Sequence, residues 1–129
     1  MTPAAKIVGL LENNVNSIPD LLPDNICAFM IGDNNVDEKH VIVVVSEDSA
    51  GNHNFGNNDV IGTTRRISIQ FYYPKNYEQD MDLIEKSVES FLRTKGIKCY
   101  LNAGHVITPD SQNITNTLKF NYLETEDEK

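Results

Sequence analysis

The stretch Arg65-Arg66-Ile67-Ser68-Ile69-Gln70-Phe71-Tyr72-Tyr73-Pro74 alternates residue by residue. Ile67, Ile69, Phe71 and Tyr73 fall on one side, and Arg66, Ser68, Gln70 and Tyr72 on the other. A period of two with one apolar side is the mark of a strand that buries one face. The strand reads from Thr63 to Tyr73, and Pro74 stops it. The period then changes. Tyr77, Met81, Ile84, Val88, Phe91 and Leu92 recur at helical spacing and predict a helix from Tyr77 to Lys95. Asn76 is the expected cap, with Gln79 completing a capping-box pattern. Arg93 and Lys95 suit the negative end of the helix dipole, and Gly96 is placed to end the helix in the left-handed conformation. A one-sided strand followed by a one-sided helix implies an α+β fold, because each apolar face needs the other as cover.

The rest of the chain builds on this pair. Downstream, Ile97, Cys99, Leu101, Ala103, His105 and Ile107 share one strand face. Ile114, Asn116, Leu118, Phe120 and Tyr122 share another, and Thr108-Pro109-Asp110-Ser111 supplies the turn of a hairpin. Upstream, Thr2 caps and Pro3 opens a first helix whose apolar stripe is Ala4, Val8, Leu11 and Val15, widened by Ile7 and Leu10. Residues 17–25 are a connector broken by Pro19 and Pro23, with Leu21 and Leu22 tucked against the core. Strands at Ile26–Ile31 and His40–Ser46 follow, joined as a hairpin through Gly32-Asp33-Asn34-Asn35. The second is a β-branched run that belongs centrally in a sheet. Residues 46–62, rich in Gly, Asn, Asp and Ser, read as a long loop or functional arm. The expected architecture is a mostly antiparallel sheet of about five strands with two helices packed on one face. Residues 1–123 form one domain, and 124–129 an acidic disordered tail. The opposite sheet face carries Arg66, Ser68, Gln70, Tyr72, Thr115, Thr117 and Lys119. It is either solvent surface or a subunit contact.

Composition narrows the functional classes. The chain has 129 residues, 40% apolar and 23% charged. A chain of this length buries roughly two-thirds of its unfolded surface and needs neither disulfide nor metal to fold. The longest apolar run, Val41–Val45, is five residues, far short of the ~20 that span a bilayer. Residues Met1 to Lys6 lack a basic start and apolar core, so no export is expected. Cys27 and Cys99 then read as buried free thiols. The net charge of −8, from 11 basic and 19 acidic residues, argues against a protein that grips nucleic acid or an anionic membrane. It leaves room for nucleic acid passing close by.

No catalytic constellation emerges. His40, His53 and His105 have no helical metal-site spacing, and no Cys-x-x-Cys occurs. His105 reads as a satisfied, partly buried histidine. His53 with Asp48 and Asp59 forms a weaker metal alternative. Asp80, Asp82 and Glu85 could hold magnesium as paired carboxylates. Asp80 and Asp82 do not face each other on a helix, however, and acidic residues in a first turn suit the dipole. Gly51 and Gly56 are not in a phosphate-loop setting, and Arg65-Arg66 is a weak anion signal or a surface salt bridge. No catalytic residue, cofactor-binding residue or metal ligand is therefore assigned, and no cofactor is expected. Residues expected to make protein contacts are Asn52, His53, Phe55 and Asn57 in the arm and Arg65, Arg66, Gln70 and Tyr72 on the strand.

The element order, the strand of the type R-x-I-x-I-Q-F-x-Y at 65–73 and the helix and strand that follow it resemble the tail terminators, or tail-to-head joining proteins, of siphophages. The opening helix resembles that of a small family of unknown function in phages of lactic-acid bacteria. The resemblance covers nearly the whole chain. It lies in element order rather than in any catalytic signature, and it assigns no individual residue a role. It implies a structural protein, not an enzyme. Such a protein forms a hexameric ring with itself, monomeric when dilute. The ring caps the major tail tube protein, ends tail polymerisation and meets the head–tail connector. DNA passes through the lumen without specific binding, and no membrane is involved. The place implied is the head-proximal end of the tail in the virion, and the host cytoplasm during assembly. The alternatives are a head-side connector or stopper, a small metal-dependent phosphodiesterase or nuclease using Asp80, Asp82, Glu85 or His53, and a host binding module.

Overall fold

The computed structural model describes residues 2–29, 40–47, 53–56, 59–74, 77–107 and 113–125. Two helices, α1 (Pro3–Glu12) and α2 (Met81–Thr94), accompany seven strands: β1 (Ile26–Ala28), β2 (Ile42–Glu47), β3 (His53–Gly56), β4 (Asp59–Tyr73), β5 (Lys98–Asn102), β6 (Val106–Ile107) and β7 (Ile114–Thr125). The sheet runs β1-β2-β4-β7-β5, with β3 also paired to β4 and β6 to β7. Every pairing is antiparallel except β1 with β2. The fold is α+β, as expected.

The deciding strand behaves as its pattern requires. Ile67, Ile69, Phe71 and Tyr73 are fully buried, and burial of each contributes roughly 1.5–3 kcal/mol. They share one core with Ala4, Ile7 and Leu11 of α1, Ile84, Val88 and Leu92 of α2, Val43 and Val45 of β2, and Leu118 and Phe120 of β7. Both helices therefore cover the same sheet face. Val41 to Val45 are all buried, which is the central, two-sided environment expected of that β-branched run. A second, smaller cluster, Cys27, Ile42 and Val44 with Tyr72 against it, lies on the opposite face at the β1–β2 end.

The helix ends are set by local chemistry. Thr2 Oγ1 accepts from the Ala5 N–H at 3.2 Å, and Pro3 occupies the first turn. Asn14 donates to the Leu10 carbonyl at 3.1 Å, and the chain turns away through short 3-10 turns at Val15–Ser17 and Pro23–Asn25. Helix α2 starts four residues later than expected. Asp80, not Asn76, caps it: its Oδ1 accepts from the Leu83 N–H at 3.1 Å. Asn76 lies outside the described residues. At the other end Gly96 takes φ +79. The Gly96 N–H reaches the Arg93 carbonyl and the Ile97 N–H the Leu92 carbonyl, each at 3.0 Å. This is a Schellman closure, and Leu92 and Ile97 are both buried in the main core.

Several expectations are corrected. The strands at 26–31 and 40–46 are not a hairpin. β1 and β2 are parallel, in register Ile26 with Val43. The thirteen residues from Phe29 to Val41 supply the long return that parallel pairing demands. Asn25, just before β1, donates to the carbonyl of Val41, just before β2, at 3.4 Å, so the two strand starts lie side by side. Phe29 ends β1 in the left-handed region at φ 72 while its N–H donates to Val45 O at 2.8 Å. The turn read at 32–35 lies outside the described residues.

The segment 46–62 is not one long loop. Its described part contains β3 and the first four residues of β4, paired His53 with Thr63 and Gly56 with Asp59, with an irregularity between Asn54 and Phe55. Backbone hydrogen bonding to a neighbouring strand outweighs low β-propensity there. Leu22 is exposed, whereas Leu21 is buried. The strand read through 97–107 is broken. A register shift between Cys99 and Leu101 and a left-handed Gly104 at φ +94 split it into β5 and β6. Leu101, paired with Lys119, consequently lies on the other face and is exposed; Ile107 stays on the side of its partner Ile114 and is exposed all the same. Strand β7 runs to Thr125, two residues into the segment read as a tail; residues 126–129 are outside the description. Both cysteines are free thiols, Cys27 buried and Cys99 half-buried. Burial raises the Cys99 thiol above its ordinary value.

Candidate functional site

Two places gather the residues that the sequence marks out. The first is a buried polar network centred on Glu85. The carboxylate sits on the core-facing stripe of α2, four residues after Met81 and three before Val88, and the residue is only 2% exposed. A charge there survives only if hydrogen-bonded. Three donors converge on it. Tyr73 OH donates to Oε2 at 2.5 Å, His105 Nε2 lies 2.8 Å from the same oxygen, and Asn116 Nδ2 donates to Oε1 at 2.7 Å. The His105 tautomer with its proton on Nε2 is the one that donates to this oxygen. Asn116 Oδ1 accepts the Gly104 N–H at 2.9 Å, and Asn102 Oδ1 accepts from Asn116 Nδ2 and from Gly104 N, each at 3.1 Å. The network thus fastens α2, β4, β7 and the break between β5 and β6 to one carboxylate.

Tyr73 extends the chain of contacts. Its ring lies 5.2 Å from that of Tyr77, whose hydroxyl donates to the Asp20 carboxylate. Asp20 is left-handed at φ 57 and also lies 3.8 Å from His40 Nε2. Burial, reinforced by Glu85, pushes the Tyr73 phenol far above its ordinary range. Burial and then the Asp20 hydrogen bond do the same for Tyr77. Both tyrosines remain neutral donors across the physiological range, which suits anchoring rather than proton transfer.

This geometry sorts the candidate acids and histidines. Asp80 is a helix cap. Asp82 is exposed and pairs with Lys86 at 3.1 Å. Glu85 faces the core, away from both. Among the described residues no group of three or more His, Cys, Asp or Glu could hold a metal ion. His105 is a satisfied, part-exposed histidine, as its sequence context suggests. The side chain of His53 and the residue Asp48 lie outside the description. Glu85 as an anchor was missed by sequence reasoning, although its place within the apolar stripe of α2 was the available signal.

The second place is the sheet face opposite the helices. Directly paired residues in antiparallel strands point to the same side. Arg66, Ser68, Gln70 and Tyr72 of β4 therefore share this face with Thr115, Thr117, Lys119, Asn121 and Leu123 of β7, Lys98 and Leu101 of β5 and Val106 of β6. Tyr72 OH donates to Gln70 Oε1 at 2.8 Å. Of the residues expected to make contacts, Arg66, Gln70 and Tyr72 are brought together here. Arg65 points to the helix side beside Tyr122, whose ring lies 4.8 Å from the Lys6 ammonium. His53 and Phe55 belong to β3, where the backbone alone is described, and Asn52 and Asn57 lie outside the described residues. Sequence reasoning missed the exposed apolar groups of this face: Leu101, Val106 and Leu123 are 45%, 60% and 50% exposed.

The chain belongs to the family described as Protein of unknown function (DUF806). The match covers residues 2–123, from the cap of α1 nearly to the end of β7. No curated protein matches the sequence. In this DUF806 member, both the Glu85 network and the open sheet face lie within the matched region. Among the described residues no helix is long and apolar enough to cross a membrane.

Proposed function

We propose that this chain is a structural phage assembly protein that caps the tail tube as a ring, ends tail polymerisation and joins tail to head. The observation that carries the reading beyond the resemblance is the open sheet face. Three large apolar side chains, Leu101, Val106 and Leu123, stand exposed among Thr, Gln, Asn and Tyr on a rigid sheet. Apolar anchors in a hydrogen-bonding surround are what a protein–protein contact uses. A ring needs closing heterologous contacts, in which two different patches of each subunit meet. The Glu85 network supports the same role, because it stiffens the β5–β6 end of that face without presenting a catalytic group.

Partners on this reading are further copies of the chain, the tail tube protein and the head–tail connector, with DNA passing through the lumen ungripped. The chain's excess of acidic residues suits a conduit that repels DNA. Immunogold electron microscopy with antibody to this chain tests the reading. Label is expected at the head-proximal end of tails, on free tails as well as whole virions. Label on tail-less heads would make it a head-side connector, and label on neither would remove the virion role.

A further inference from the structure

The open face has a charge opposite to that of the chain. Arg66, Lys98 and Lys119 lie on it, and among the described residues no acidic side chain shares it. Arg66 and Lys98 both flank Asn121 on neighbouring strands, and Lys119 is two residues along β7. Cross-strand neighbours sit roughly 5 Å apart and alternate residues about 7 Å apart, so the three cations form one group. Leu101 pairs directly with Lys119 and Leu123 lies beyond Asn121, so apolar anchors border that group.

The opposite layer of the molecule carries its complement. Glu78, Asp80 and Asp82 are exposed over the start of α2, with Leu83 51% exposed beside them. Leu83 also edges a shallow groove with Ser87 and Phe91. Asp82 pairs with Lys86, and the two side chains are 66% and 71% exposed. A pair this exposed exchanges at little cost. One patch is thus three cations with leucines, and the other three carboxylates with a leucine. They lie on different layers, so a contact between them is heterologous and repeats from copy to copy.

We infer that the Arg66–Lys98–Lys119 face of one copy docks on the Glu78–Asp80–Asp82 end of α2 in the next copy. This rests on the ring reading and deepens it by naming the two surfaces that close the ring. It also accounts for a basic face in a conduit protein, since cations buried against a neighbour's carboxylates are not offered to DNA.

Charge reversal tests it. The doubly substituted chains Arg66→Glu/Lys98→Glu and Glu78→Lys/Asp82→Lys alter exposed side chains only. Circular dichroism checks that both fold, and the milder Arg66→Gln/Lys98→Gln replaces the first if it does not. Sedimentation velocity over a concentration series at low salt reads self-association. Each reversed chain alone is expected to associate at least about tenfold more weakly than wild type. An equimolar mixture of the two is expected to recover association, because acidic faces then meet basic helix ends in alternation. Unchanged association of either reversed chain overturns the inference, and so does a mixture that stays dissociated. Duplex DNA binding by the wild-type chain that Arg66→Glu/Lys98→Glu abolishes, with self-association untouched, overturns it in favour of a nucleic-acid face. Virion labelling at the tail end together with charge-insensitive association would sink this inference and leave the ring reading standing. No labelling, with a wild-type chain monomeric throughout, would remove both.

Discussion

Glu85 shows how one residue ties sequence pattern to stability. Its carboxyl group is held inside the core because Tyr73, His105 and Asn116 all hydrogen-bond to it. Glu85→Ala would leave those three donors facing a cavity with nothing to accept them. Leaving several buried donors without an acceptor costs about 3 kcal/mol or more. Urea denaturation should show a loss of that size, whereas Glu85→Gln, which keeps the volume and one acceptor oxygen, should cost less. The same network gives an alkaline signature. Burial, then the Glu85 hydrogen bond, hold the Tyr73 phenol protonated far above its ordinary value of 10.0. Above that pH the unfolded chain releases the proton and the folded chain keeps it, so the unfolded state binds fewer protons and is favoured. Stability contributed by Tyr73 is whole below pH 10 and falls by about 1.4 kcal/mol per pH unit above it. Unfolding free energies measured from pH 9 to about 11 should therefore decline, and Tyr73→Phe should flatten the decline by that amount. The residue positions were legible in the sequence: Glu85 falls within the apolar stripe of α2, and Tyr73 and Asn116 fall on inward-facing strand positions. The pairing was not legible, because it depends on where α2, β4 and β7 meet in space, which no local period encodes.

At the scale of the elements, legibility followed the strength of the local signal. The alternation of 63–73 and the helical stripe of 81–92 each have one physical solution, and the structure adopts it. The Gly96 stop was equally readable, since only a left-handed residue lets the last carbonyls of α2 be capped. Gly96→Ala isolates that cost. A Cβ at Gly96 would meet no atom within 4 Å, so the φ of +79 is the whole penalty. A loss of about 1 kcal/mol in the unfolding free energy is expected. A similar loss is expected for Asp80→Ala, which removes the acceptor of the Leu83 N–H. An unchanged denaturation midpoint in either variant would show that the cap contributes nothing. The direction of β1 could not be read in the same way. A run such as Ile26–Ile31 followed by turn residues suits a hairpin and a crossover equally, and the choice rests on the Asn25 to Val41 hydrogen bond and on what α1 covers. Residues 53–62 misled for a related reason. Their composition favours a loop, but β4 and β3 pair there, and pairing partners are not a property of composition.

For the whole molecule, what matters is that the sheet buries most of one face and only part of the other. Helices α1 and α2 complete a core on one side. On the other, the cluster of Cys27, Ile42 and Val44 covers the β1–β2 end, and the β7–β5 end keeps Leu101 and Val106 in the open. Neither side chain belongs to a core cluster, so polar replacements there should barely affect folding; surface changes of this kind usually stay within about 0.5 kcal/mol. They should act strongly on assembly, because the centre of a contact is apolar and desolvated and a carboxylate there is left without water or partner. Leu101→Asp/Val106→Asp is therefore expected to melt within a few degrees of wild type while losing concentration-dependent association. Phage that carry the substitution should accumulate tails that are not joined to heads, and tails of uncontrolled length. Thermal melts, sedimentation and negative-stain length distributions read the three outcomes separately. A variant that folds, assembles and yields joined tails of normal length would show that the open face is plain solvent surface. The closing contacts would then have to be sought at the sheet's β1 edge, where Leu22 and Phe29 are exposed.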